Sequence, residues 1–129
     1  MSLVAILASV VVALAALVHV YIFVLESIRW MEPSTRRIFG VRSDEQARTL
    51  RPMAYNQGFY NLFLGIGAIA GLVLLWTGSA ESGRVLALFS TAAMAGAAVV
   101  LTTTGPGYLR PALVQGVLPL IGFVLLLFA

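Results

Sequence analysis

Residues 3–25, LVAILASVVVALAALVHVYIFVL, decide the fold class, because this apolar run is broken only by Ser9, His19 and Tyr21. About 20 consecutive apolar residues wound as an α-helix cover the hydrocarbon thickness of a bilayer. The run therefore reads as a membrane-crossing helix over about residues 3–28. Glu26, Ser27 and Arg29 mark its exit, and Trp30 is placed to anchor it at the interface. No basic stretch precedes it and it is longer than the apolar core of a signal peptide, so a retained helix is expected. Three further stretches carry the same pattern, at about residues 52–76, 84–104 and 110–128. Together they predict an all-α integral membrane protein: four transmembrane helices in an antiparallel bundle, forming one domain over residues 1–129.

Composition agrees. Of 129 residues, 60% are hydrophobic and 10% charged, and the mean hydropathy is +1.00. A soluble domain of this size could not hide so much apolar surface, whereas lipid accepts it. Cysteine is absent and all 8 basic residues are arginine, which excludes disulfides, thiolate chemistry and lysine Schiff bases.

The arginines also predict topology. Arg29, Arg36, Arg37, Arg42, Arg48 and Arg51 crowd into residues 29–51, Arg110 falls on the same side, and Arg84 stands alone on the other. The positive-inside rule then puts residues 29–51 in the cytoplasm and both termini outside, as in a multi-pass protein of a bacterial inner membrane. The net charge of +3 is read as this topology signal, with the bilayer and not nucleic acid as the partner. Within the basic segment, Ser43 and Gln46 have capping-box spacing, which predicts a short interfacial helix from about Asp44 to Leu50. Pro52 suits the first turn of the next helix. Residues 77–83 are expected as a turn, and Gly105-Pro106-Gly107 as a second, tighter one. Gly65, Gly67 and Gly71, with Ala92, Gly96 and Ala97, supply small-residue surfaces for close helix packing. The Gly67-x-x-x-Gly71 and Ala92-x-x-x-Gly96 spacings suit self-association, and a homo-oligomer, trimer or dimer, is expected.

Polar residues gather at one depth. Asn56-Gln57-Gly58-Phe59-Tyr60-Asn61 opens the second apolar stretch, and His19 and Glu26 lie in the matching part of the first. An antiparallel layout adds Thr102, Thr103, Thr104 and Gln115 to the same cytoplasmic third. At about 100° per residue, His19, Phe23, Glu26 and Trp30 share a helix face, with His19 and Glu26 about 10 Å apart along the axis. Polar side chains in a membrane also hold helices together, at about 0.6 kcal/mol per pair. An ionisable pair there is a functional-site hypothesis by default. On that reading Glu26 and His19 are candidate general acids or bases, with Tyr60 as a proton donor. Asn56, Gln57, Asn61, Gln115 and Trp30 would contact the ligand. One histidine, no cysteine and one nearby carboxylate fall short of the three ligands usual for catalytic zinc. No metal or cofactor is expected, and a haem on His19 is the one such group these residues would allow.

With those residues in view, the chain resembles a family of small bacterial and fungal membrane proteins known only as a domain of unknown function. The resemblance rests on His19-x-Tyr21-Ile22-x-x-Leu25-Glu26-x-x-x-Trp30, Asn56-Gln57-Gly58-x-Tyr60-Asn61, a Gly-x-Gly-Tyr turn near residues 105–108, and Gln115. It implies four spans and treats the polar layer as one unit, with no activity attached. The chain is more loosely similar to the MAPEG membrane enzymes, which have four spans and a basic first loop. Arg51, Ala54 and Asn56 echo part of their second-helix motif, with different spacing and without its glutamate. That resemblance implies an architecture of small helical subunits with a site near the cytoplasmic face. The function expected is a cytoplasm-facing polar chamber that binds a small polar or amphipathic ligand, with isomerase or epoxide-type acid/base chemistry on a lipophilic substrate. The alternatives are a non-catalytic assembly or binding subunit whose polar layer fixes helix packing, and a transporter component.

Overall fold

The computed structural model describes residues 2–129. Its elements are α1 (Leu3–Phe23), a π-helical turn (Val24–Ile28), α2 (Pro33–Ile38), α3 (Asp44–Thr77), α4 (Ala80–Thr102), a 3₁₀ turn (Pro106–Tyr108) and α5 (Leu109–Leu127). No strand occurs among the described residues. Four helices are long and apolar enough to cross a membrane: Leu3–Ile28, Asp44–Thr77, Ala80–Thr102 and Pro106–Leu127. The chain divides into two compact units, residues 2–18 with 64–129, and residues 19–63.

The larger unit has a core of small residues. Ala8, Ala15, Ala16, Ala68 and Ala87 pack with Val12, Met94 and Leu126, so helix backbones lie close together. Glycines bring them closer still. A Cβ on Gly71 would stand 2.7 Å from the Ala87 nitrogen, and one on Gly83 would stand 2.3 Å from the Leu75 nitrogen. These contacts, with Gly67 against Ser90, run antiparallel along α3 and α4. The Gly67 and Gly71 surface expected to join subunits is therefore used inside the chain. Ala92, Gly96 and Ala97 are exposed.

Several polar groups of this unit are paired. Trp76 Nε1–H donates to Ser9 Oγ at 2.8 Å, and Ser9 Oγ donates to the Ala5 carbonyl at 2.8 Å. Arg84 has a packing role: its Nε and Nη2 donate to the Leu126 and Leu127 carbonyls, each at 2.8 Å. The last turn of a helix leaves carbonyls unpaired at its negative dipole end, and a guanidinium there answers both needs.

Three boundaries differ from the sequence reading, each for a local reason. The short helix ending near Leu50 and the helix opening at Pro52 are one helix of 34 residues, with Pro52 inside it. Proline deprives the Arg48 carbonyl of its donor, but both residues are exposed, where that carbonyl stays accessible. The turn expected over residues 77–83 contracts to Gly78 and Ser79, because Gly78 takes φ +150° and lets α4 begin at Ala80. Gly83 thereby becomes a helix-packing residue. Lastly, the first long helix ends in a π-helical turn, with the Arg29 N–H donating to the Val24 carbonyl at 2.8 Å.

Candidate functional site

The smaller unit holds the polar motif. The π-helical turn packs against α3 at Gly58, where a Cβ would lie 2.0 Å from Ser27 Oγ and 3.1 Å from Glu26 Cβ. Ser27 Oγ donates to the Tyr55 carbonyl at 2.8 Å and fastens the two backbones there. A π-turn carries more than four residues per turn, so it rotates Glu26 and Ser27 away from their α-helical positions. At the contact, Asn61 Nδ2 donates to Glu26 Oε1 at 2.8 Å and to the Gln57 carbonyl at 3.2 Å. The second bond spans one turn of α3 and fixes the amide that holds the carboxyl. Glu26 is 8% exposed and Asn61 9%, so the pair is withdrawn from the surface. Nearby along α3, the Phe59 ring lies 5.0 Å from both Phe23 and Tyr55.

Of the residues singled out by sequence, the structure brings together Glu26 and Asn61 and buries His19 at 2% exposure. Asn56, Gln57 and Tyr60 lie on the exposed surface of α3. Gln115 is half-buried in the other unit. Trp30 does not continue the helix face of His19 and Glu26, because the helix ends at Ile28. It is buried in the exit turn, with Nε1–H donating to the Ala47 carbonyl at 2.9 Å and its ring against Phe39. Arg29 is exposed, and the described partner of Glu26 is Asn61.

Sequence reasoning gave Ser27 and Gly58 no role of their own. A signal was present, since glycine inside a helix costs about 1 kcal/mol relative to alanine and marks a close approach. Thr35, whose hydroxyl is buried without a hydrogen bond among the described residues, gave no such signal.

Chemically, the pair is a carboxyl with one oxygen held by an amide donor and its orientation set by a turn of unusual pitch. Such a group takes up or delivers a proton, or accepts hydrogen bonds from an alcohol or amine. Among the described residues, no three His, Asp or Glu side chains gather as a metal-binding group.

Residues 13–127 match the family described as Protein of unknown function (DUF1304). The chain belongs to that family. The match takes in both polar stretches, so the Glu26–Asn61 contact lies inside the DUF1304 region. No curated protein and no solved structure matches the chain.

Proposed function

We propose that this protein is a multi-pass membrane protein whose Glu26 site, at the cytoplasmic end of the first span, binds a small polar or amphipathic molecule. The observation that carries this reading is the buried Glu26 carboxyl held by Asn61 within a π-helical turn. π-turns inside helices occur often at functional sites, and intramembrane ionisable groups are costly to keep without a use. In the enzymatic form of the proposal, Glu26 serves as general acid or base on a lipophilic substrate, in isomerase or epoxide-type chemistry. His19 lies deeper in the same helix, and Asn56, Gln57 and Tyr60 meet a ligand arriving from lipid or from a second subunit. A bacterial inner membrane, both termini outside and a homo-oligomer complete the proposal, drawn from the arginine distribution and the exposed Ala92 and Gly96.

A second reading, a non-catalytic assembly subunit, is favoured by one feature: Asn61, Ser27 and Trp30 each join segments distant in sequence, as packing residues do. Glu26→Gln separates the two. It keeps the shape of the side chain and its acceptor for Asn61 while removing the ionisable group. The variant is expected to fold and elute like wild type, while any small molecule found by mass spectrometry in purified wild-type protein is lost. Retention of the same molecule by Glu26→Gln would favour the packing role.

Topology is tested separately. Reporter fusions after Phe39 are expected to read cytoplasmic, and those after Ser79 external. The reverse pattern would overturn the assignment of side.

A further inference from the structure

A shallow, open cavity of about 280 Å³ lies where α2 ends and α3 begins, and Arg36, Ser43, Asp44 and the exposed Arg37 and Arg42 line it. Its walls are set by backbone hydrogen bonds. α2 closes in a Schellman motif: Gly40 takes φ +69°, its N–H donates to the Arg37 carbonyl, and the Val41 N–H donates to the Arg36 carbonyl at 2.9 Å. α3 opens in a capping box, with the Gln46 N–H donating to Ser43 Oγ at 3.1 Å and the Arg42 N–H donating to Gln46 Oε1 at 2.9 Å. An Arg36–Asp44 ion pair joins the two helix ends. The guanidinium groups of Arg37 and Arg42 make no ion pair or hydrogen bond among the described residues.

The chemistry of this lining selects an anion. Three arginines and one aspartate leave a net charge of +2, since 3 − 1 = 2, and Asp44 is occupied by Arg36. The first turn of α3 carries Asp44 and Glu45, so attraction for an anion comes from the arginines and not from the helix end. Two unpaired guanidinium forks beside a helix start suit a tetrahedral group with several acceptor oxygens better than a planar carboxylate.

We infer that this cavity binds a phosphate group, carried by an anionic lipid headgroup or free in solution. Depth favours the lipid, an argument that rests on the membrane reading above. α3 is about 51 Å long, against about 40–45 Å for a whole bilayer with its headgroups. Its first turn therefore emerges at the level of the phosphates or just beyond.

The test uses the full chain in phosphatidylcholine nanodiscs, offered either phosphatidic acid or radiolabelled inorganic phosphate. Phosphatidic acid is followed by native mass spectrometry of the retained lipid. The double variant Arg37→Gln with Arg42→Gln is compared with Arg48→Gln with Arg51→Gln, which removes the same charge outside the cavity. The cavity pair is expected to weaken binding about thirtyfold, from about 1 kcal/mol lost per arginine, and the outer pair far less. Binding of either probe with that asymmetry supports the site, and the probe that binds identifies the source. Binding of neither probe, or equal weakening by both variants, overturns it. Loss of this site would leave the Glu26 proposal untouched, because the Glu26→Gln readout does not involve phosphate.

Discussion

Gly83→Ala is expected to lower stability by about 2–3 kcal/mol, the range for overpacking a close contact. The added Cβ would meet three backbone atoms of α3: the Leu75 nitrogen at 2.3 Å, the Gly71 carbonyl oxygen at 2.5 Å and the Leu74 carbonyl carbon at 2.8 Å. A flexible side chain could swing away from such an intruder, but a hydrogen-bonded helix backbone cannot. α3 and α4 would have to separate where Gly71 faces Ala87, loosening the alanine-rich core that depends on short interhelix distances. Alanine gains about 1 kcal/mol over glycine in helix propensity, which offsets part of the clash and is already included in the expected range. Gly96→Ala supplies the contrast in the same helix, because a Cβ there has nothing within 4 Å. It is expected to be neutral or to stabilise by up to about 1 kcal/mol. Unfolding in mixed micelles against a rising fraction of denaturing detergent measures both. Equal effects at the two positions would contradict the α3–α4 packing. A Gly96→Ala protein of unchanged stability that dissociates in mild detergent would instead place α4 in the subunit interface.

Asn61→Leu is expected to cost about 3 kcal/mol, because it removes the donor that holds Glu26 and leaves a buried carboxyl without it. The amide also anchors to the Gln57 carbonyl, so its loss frees both ends of the bridge. Replacing both partners, Glu26→Leu with Asn61→Leu, is expected to return stability to within about 1 kcal/mol of wild type, since no buried polar group is then stranded. Glu26→Gln alone is expected to fall close to wild type. A double variant as unstable as the sum of its singles would show that Glu26 and Asn61 are not coupled, and would remove the pair from the site.

The two positions illustrate how unevenly the sequence revealed this molecule. The four long helices were legible because apolar runs of spanning length have few other uses, and they fall where those runs lie; the short α2, read as loop, was not. Family membership was legible in the His19–Trp30 and Asn56–Asn61 motifs, which lie within the matched region. The depth argument put Glu26 and Asn61 in one layer, and these two side chains meet. It could not separate Asn61 from Asn56, Gln57 and Tyr60. Those side chains differ in direction around one helix, and only the neighbours of α3 decide which direction is buried.

What the sequence determined by itself was therefore the one-dimensional part: apolar length, charge asymmetry and the capping signal at Ser43 and Gln46, each set by residues adjacent or one turn apart. The tertiary structure alone decided the rest. It packed Glu26 and Ser27 against Gly58, spent Gly71 and Gly83 inside the chain, and set Arg84 on the carbonyls that end α5. Each of those outcomes depends on atoms far apart in sequence that approach within a few ångströms. Local propensity carries no information about which distant backbone will be there.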